Sequence, residues 1–261
     1  MSQPKGYYVD PKYLHIIGNQ LNHIKQRSYA LMQIQLEHKV LDLGCGPGTD
    51  TMPLAPLVGA NGQVIGVDYD EAMIAEAKQR AEQAGVNTWV GHKRADAVSL
   101  PFETDYFDSC RSERLFQHLP NPAQALSEMT RVTKPGGWVV VLDTDWGSLS
   151  TDSDDTDIER RLALFLAESS LHNGYSGRKL YRLFKQQNLA DISFEVFPVA
   201  TPNYALARQA TQAERIEQDA LKAGVITSDE LHRWQSGLEQ ADSEGIYFGC
   251  VNLMMFAGRK I

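Results

Sequence analysis

Residues 40–50 read VLDLGCGPGTD, and this short stretch narrows the fold further than any bulk property of the chain. VLDL is a strand former; Gly44, Gly46 and Gly48 follow at every second position, and helix-competent residues come after them. A strand, a glycine-rich turn and a helix bring backbone amides to a strand's carboxyl end, where nucleotide-like ligands are held. The same alternation then repeats. QVIGVD (63–68) reads as a strand, EAMIAEAKQRAEQAG (71–85) as a helix closed by Gly85, and TWVGHKRAD (88–96) as a third strand with its exit loop. YFDSCRS (106–112) reads as a fourth strand, PAQALSEMTRVT (122–133) as a helix, PGG (135–137) as a turn and WVVVLDTD (138–145) as a fifth strand. This rhythm with short linkers predicts a parallel sheet covered by helices on both faces. The helix after VLDL carries Pro53 and Pro56, which interrupt its hydrogen-bond ladder, so a short or kinked helix is expected.

Beyond Trp146 the alternation stops. Residues 158–172 and 177–188 read as helices, DISFEVFPVA (191–200) as a strand, 203–243 as mostly helical and GCVNLMMFAGRKI (249–261) as a closing strand. Upstream, Tyr13, Leu14, Ile17, Leu21, Ile24, Leu31 and Ile34 recur at helical spacing. The expectation is one domain over 1–261. It comprises N-terminal lid helices (1–36), a ligand-binding core (37–147), a helical insertion with a sixth strand (148–245) and a terminal strand (246–261).

The kind of ligand follows from two carboxylates. Asp42 stands two residues before the first loop glycine, a poor neighbour for a pyrophosphate and a good one for an ammonium group. The spacing is G-x-G-x-G rather than the dinucleotide G-x-G-x-x-G, and no Gly-Lys-Ser/Thr follows, so neither phosphate-binding reading fits. Asp68 ends the second strand about 20 residues on, where an acid accepts both ribose hydroxyls. A ribose, an adenine and a cationic amine in place of phosphates describe S-adenosylmethionine.

The series VLDLGCGPGTD, VIGVDYDEAM, RADAVSLPF, FDSCRSERLFQHLP and VTKPGGWVVV resembles the successive motifs of class I S-adenosylmethionine-dependent methyltransferases. It is most similar to the ubiquinone/menaquinone-biosynthesis type and its small-molecule relatives, strongly over residues 36–146 and weakly elsewhere. The resemblance implies an α/β, Rossmann-like, seven-stranded mostly parallel sheet with N-terminal helices and a helical lid insertion. It also implies that Gly44 and Gly46 approach the methionyl part, Asp42 its ammonium, and Asp68 the ribose. Tyr69 and Met73 then flank sugar and adenine, Asp96 accepts from the adenine amino group beside Ala97, and Arg111 and Ser112 lie against the methionyl end.

Methyl transfer from a sulfonium needs an aligned nucleophile and exclusion of water, and a base where the acceptor carries a proton. His118, just past the fourth strand, is the candidate catalytic base. Asp145 and Trp146 end the fifth strand and are candidate substrate contacts, together with Arg178 and, from the N-terminal helices, Tyr8; Tyr7, Tyr13 and Arg27 are further lid candidates. Each of these residues also has a plain structural reading, as cap, core or surface.

Composition removes other classes. With net charge −8 the chain lacks the basic face of a nucleic-acid binder, and RSERLF stands where amino-methylating DNA enzymes carry a Pro-Pro-aromatic motif. No apolar run spans a bilayer, and the N-terminus lacks a signal-peptide core. Seven histidines without HxH or HExxH spacing and three cysteines without CxxC give no metal site, no paired thiols for arsenic chemistry and no disulfide framework, as expected of a cytoplasmic protein. The acidic run TDSDDTDIER (151–160) reads as a solvated helix start. The expected partner is a small molecule, with the chain a monomer or homodimer. Two alternatives stay open: a cofactor-bound pocket that promotes a cyclisation or rearrangement without transfer, and a non-catalytic S-adenosylmethionine-binding partner protein.

Overall fold

The structure, a computed structural model, describes residues 21–261. One sheet holds β1 (Lys39–Leu43), β2 (Gln63–Asp68), β3 (Val90–Arg94), β4 (Phe107–Glu113), β5 (Thr133–Thr151), β6 (Ala190–Thr201) and β7 (Gly249–Arg259). Across the sheet the order is β3-β2-β1-β4-β5-β7-β6. β1 to β5 run parallel, whereas β7 is antiparallel to both β5 and β6. The chain builds outward from β1 in one direction, then returns to β4 and builds in the other. That reversal opens a crevice at the carboxyl ends of β1 and β4, the place where α/β sheets take their ligands.

The helices are α1 (Asn22–Leu31), α2 (Thr51–Val58), α3 (Glu71–Gln83), α4 (Pro122–Val132), α5 (Thr156–Phe165), α6 (Ser176–Gln186), α7 (Tyr204–Thr211), α8 (Ala213–Lys222) and α9 (Ser228–Ser243), with a 3-10 turn at Phe116–His118 and a π-turn at Leu166–Ser170. Their starts are written in the sequence. The Asp70 side chain accepts from the Ala72 and Met73 amides and begins α3. Asn121 accepts from Gln124 ahead of Pro122 at the start of α4, and Thr227 with Glu230 forms a capping box on α9. α2 is short, 8 residues, as its prolines require. Pro53 falls in the first turn, where its missing N–H has no helical partner, and Pro56 removes one ladder bond.

Both ends of β5 differ from the sequence expectation. β5 begins at Thr133 and carries the PGG bend within it, where its register against β4 jumps from Phe107↔Thr133 to Ser109↔Trp138 and Gly136 sits at φ +83. It also continues past Asp145, because β7 supplies partners there: Ser150 faces Cys250 and Thr151 faces Gly249. In the acidic run, Asp157 and Glu159 occupy the first turn of α5, where the helix dipole favours negative charge, but Asp155 at the cap makes no side-chain capping bond.

The central strands are buried on both faces, which explains why β1 and the middle of β5 read as nearly continuous apolar runs, whereas β3 and β6 at the edges are partly exposed. Leu41, Leu43, Phe107 and Val141 pack against α4 and α6 through Leu126, Met129, Leu180 and Phe184. Val40, Val64, Val140 and Leu142 pack on the other face with Ile24, Met32, Leu54 and Val58. A third cluster, built on Ile158, Leu162, Ala220, Trp234, Leu238 and Tyr247, lies inside the helical segment itself. Among the described residues no helix is long and apolar enough to cross a membrane.

Candidate functional site

The loop after β1 turns tightly because three glycines take left-handed backbone: φ is +77 at Gly44, +50 at Gly46 and +76 at Gly48. A Cβ on Gly44 would sit 3.0 Å from the Leu115 side chain, so backbone and β4–α4 loop approach as closely as only glycine permits. The amides of Gly44 and Cys45 donate to the Val67 carbonyl at 2.7 and 3.0 Å, tying the loop to the end of β2. There Asp68 accepts from Gly46 N–H through Oδ2 and from Asp70 N–H through Oδ1, both at 2.9 Å. Each carboxylate oxygen retains a second lone pair. Burial raises the Asp68 pKa against those amide bonds.

The strand register brings the three expected carboxylates to one edge. Asp42 pairs with Gly66, two residues before Asp68, and Asp68 pairs with Arg94, two residues before Asp96. Asp96 is exposed, its Oδ1 accepting from Val98 N–H at 3.1 Å, and Ala97 is buried in the main core cluster. Met73 is buried in the first turn of α3; Tyr69 is open to solvent with the Arg94 guanidinium 5.4 Å from its ring.

Asp42 is enclosed, and its surroundings were not legible in the sequence. Its Oδ1 accepts from Arg111 Nη1 at 3.1 Å, while its Oδ2 is buried and meets no hydrogen-bond partner among the described residues. Arg111 lies inside β4, opposite Asp42 in register, rather than at the strand's exit, and it is fully buried. Its Nη2 donates to Glu113 at 2.8 Å, Nη1 stands 3.2 Å from Asp50, and its guanidinium lies 5.1 Å from the Tyr29 ring. From α1, Lys25 reaches Asp50 at 2.7 Å and Glu113 at 2.9 Å, and the Tyr29 hydroxyl donates to Asp50. Ser112, next in β4, is equally buried, its hydroxyl without a partner among the described residues. Arg111 thus belongs to a charge network beneath the glycine loop, and both it and Ser112 lie inside β4, which runs to Glu113, rather than at its exit.

Two buried cations, Lys25 and Arg111, face three buried carboxylates, with the less buried Arg114 3.2 Å from Glu113. Burial opposes ionisation of all three acids. At Asp50 it is outweighed by Arg111 and Lys25, which hold that carboxyl below the usual range. Glu113 is lowered too, because Lys25, Arg114 and Arg111 overcome burial and Asp50. At Asp42 burial wins over Arg111, and the carboxyl is pushed up. Asp42 is the least compensated acid of the network, with an unmatched oxygen at the strand end. These carboxylate acceptors could take an ammonium beside Asp42 and ribose hydroxyls at Asp68.

A second group gathers at the ends of β4 and β5. Asp143, buried, accepts from Phe116 N–H at 2.7 Å and from the Ser176 hydroxyl at 2.6 Å, fixing the 3-10 turn against α6; burial raises its pKa to about 6. On that turn Gln117 Oε1 accepts from Trp146 Nε1 at 2.6 Å, and its Nε2 stands 3.1 Å from His118 Nε2. Burial, then Arg114 and His172, pushes His118 down to about 4, so its imidazole is neutral at neutral pH. Asp145 is buried and takes Arg178 Nε on both oxygens at 2.8 and 2.9 Å. These two expected substrate contacts are therefore paired with each other. Arg27 bonds Glu195 at 2.7 Å on the surface. Tyr8, Tyr7 and Tyr13 lie outside the described residues. Among the described residues no three ligating side chains cluster as a metal site would require.

Lys25, Tyr29, Asp50, Glu113, Gln117 and Asp143 were missed from sequence. One signal was available: Lys25 and Tyr29 are four apart in a helical pattern, hence on one face.

Sheet order, glycine loop and strand-end carboxylates define a Rossmann-like α/β protein with an adenosine-type site. Residues 35–234 match the family model described as a methyltransferase domain, and the chain belongs to that family of S-adenosylmethionine-dependent methyltransferases. A 37.1 kDa protein in transposon TN4556 of Streptomyces fradiae is 35% identical over 219 residues, 82% of this chain and 60% of that one. The demethylmenaquinone methyltransferase of Lactiplantibacillus plantarum is 38% identical over 122 residues, 47% of this chain and 52% of that enzyme. The chain thus spans little more than half the length of these relatives. Among solved structures, the YcgJ protein of Bacillus subtilis matches with a TM-score of 0.66 at 22% identity, covering 92% of this chain and 98% of that one, a likeness of fold.

Proposed function

We propose that the protein transfers a methyl group from S-adenosylmethionine to a small organic acceptor. When bound, the cofactor supplies an electrophilic methyl group on a sulfonium. The observation that carries the reading is the buried, unpartnered Asp42 Oδ2 at the end of β1, one strand from Asp68 with its two free lone pairs. Asp42 meets the ammonium, Asp68 the ribose hydroxyls and Asp96 the adenine amino group, while Gly44 and Gly46 let backbone lie against the methionyl part. The 3-10 turn and the start of β5's extension face the acceptor.

Titration calorimetry with S-adenosylmethionine and S-adenosylhomocysteine, followed by mass spectrometry of candidate acceptors, tests this directly. Binding of both and an acceptor heavier by one methylene are expected. No binding ends the proposal, and a product of unchanged mass moves the reading to rearrangement.

His118 on this reading lines the acceptor side and orients it rather than serving as a strong base. A group held near pKa 4 is correctly unprotonated but feebly basic at pH 7. His118→Gln should therefore slow single-turnover methyl transfer by less than ~10-fold, with no inflection near pH 6.5. A true general base would cost ~10²–10⁴-fold, and a loss of that size restores His118 to the role expected from sequence.

A further inference from the structure

An open-mouthed cavity, offering about 130 Å³ to the centres of water-sized molecules, lies away from the cofactor residues, between the far halves of β5–β7 and α5, α7, α8 and α9. None of Asp42, Asp68, Asp96 or the loop glycines lines it. It nevertheless sits on the same carboxyl edge of the sheet. Its floor includes Gly249, which pairs with Thr151 of β5 on one side and Thr201 of β6 on the other. Folded interiors are close-packed, with few voids larger than a water. This one lies beside the helical segment's own core, whose Leu162, Trp234, Leu238 and Tyr247 form part of its wall.

The wall's polar groups are turned on one another. Arg208 donates through Nη1 and Nη2 to the two oxygens of Glu217 at 2.8 and 3.0 Å, and Glu217 also accepts from Trp234 Nε1 at 3.2 Å. Glu159 accepts from Thr151 N–H at 3.3 Å, Thr201 Oγ1 accepts from Asn203 N–H, and the Thr211 hydroxyl donates to the Ala207 carbonyl. Arg208 and Glu217 neutralise one another and Glu159 stands 3.6 Å from Arg160, so a charged guest would be stripped of water with little compensation. Tyr204 and Tyr247 stand edge to face, 5.2 Å apart, as an aromatic wall. The Tyr204 hydroxyl accepts from Arg208 at 3.4 Å and keeps its own proton for one neutral oxygen.

β5 joins this cavity to the cofactor side. Trp146 bonds Gln117 beside His118, and Leu149 and Thr151 of the same strand line the cavity. At a strand's rise of 3.3 Å per residue, Trp146 and Thr151 are no more than about 17 Å apart. We infer that the cavity holds the body of the methyl acceptor, and that this acceptor is an uncharged, mainly hydrocarbon molecule whose reactive end reaches back along β5 toward Trp146. The inference rests on the methyl-transfer reading for the word acceptor; the cavity's preference for uncharged apolar molecules is measurable without it.

The probe is N-phenyl-1-naphthylamine, an uncharged dye that brightens in apolar surroundings, displaced by 1-decanol, decanoate or decyltrimethylammonium. Saturable dye binding is expected, with 1-decanol displacing it at least ~10-fold more effectively than either charged chain. Ala163→Phe, which fills the cavity from α5, should weaken dye binding by at least ~10-fold while calorimetric S-adenosylmethionine affinity stays within twofold. If that variant does not fold, Ala207→Phe fills it from α7 and is read the same way. Equal displacement by the charged chains, or undiminished dye binding in the folded filled variant, overturns the inference. Dye binding that behaves as expected in a protein that takes no S-adenosylmethionine refutes methyl transfer and leaves the cavity's specificity standing.

Discussion

Asp68→Ala should weaken S-adenosylmethionine and S-adenosylhomocysteine by ~10²–10⁴-fold in calorimetric titration. A hydrogen bond to a charged group is worth about 1.5–3 kcal/mol, and the proposed site makes two from the ribose. Their sum is about 3–6 kcal/mol, at 1.4 kcal/mol per tenfold. The carboxylate also holds Gly46 N–H and Asp70 N–H at 2.9 Å, so its removal loosens the glycine loop as well. Asp68→Asn separates the two effects. It retains one carbonyl oxygen for the loop but loses the charge, and should fall between wild type and alanine. Both cofactor forms carry the same ribose and should lose affinity by the same factor. Binding within ~10-fold of wild type in Asp68→Ala would mean that the ribose lies elsewhere.

Asp68 was legible because the second strand's end and the glycine loop are close in sequence and follow a repeating pattern. The succession of strands and helices along the chain through β5 was legible for the same reason: local hydrophobic periodicity and helix caps such as Asp70 and Asn121 carry it. What stayed hidden depends on contacts between distant segments. Nothing in its local sequence singles out Asp50, yet it binds Lys25 and Tyr29, 25 and 21 positions upstream, because α1 packs over the loop. Asp145 looked free to meet a substrate, but α6 brings Arg178 onto both its oxygens from 33 positions away. Pro53 and Pro56 looked anomalous in a cofactor-loop helix, and the helix accommodates them by being two turns long. The lid cavity was invisible for a different reason. Its lining comes from four helices and three strands, each of which reads as unremarkable amphipathic sequence, and only their assembly encloses a volume.

Arg111→Met should lower the melting temperature more than any surface change, by roughly 6–20 °C. Removing one partner from a buried ion network costs about 3–5 kcal/mol, because the remaining charges stay buried without compensation. For a domain of this size each kcal/mol moves the melting temperature by about 2–4 °C. Arg111 is the hub: it contacts Asp42, Asp50 and Glu113, and Met would fill its volume while leaving three buried acids to Lys25 and Arg114. The pH dependence gives the diagnostic sign. In the wild type, Asp50 and Glu113 are held below the usual carboxylate range, so their stabilisation is present at neutral pH and is lost as pH falls through their depressed values. In the variant, burial without Arg111 raises carboxyls in the same place, so acid relieves the fold instead of weakening it. The gap between the two proteins should therefore narrow from pH 7 toward pH 5. A gap of the same size at both pH values would show that Arg111 acts by packing against Tyr29 rather than by charge. A gap below about 2 °C would remove the network from the account of what holds the loop. Asp42 responds in the opposite direction, since its raised carboxyl is destabilising once ionised and Arg111 is its nearest cation. Added S-adenosylmethionine, through its ammonium, should raise the wild-type melting temperature and should raise that of Arg111→Met by a larger increment, because there Asp42 loses its ion pair with Arg111 and is left with the weaker influence of Lys25.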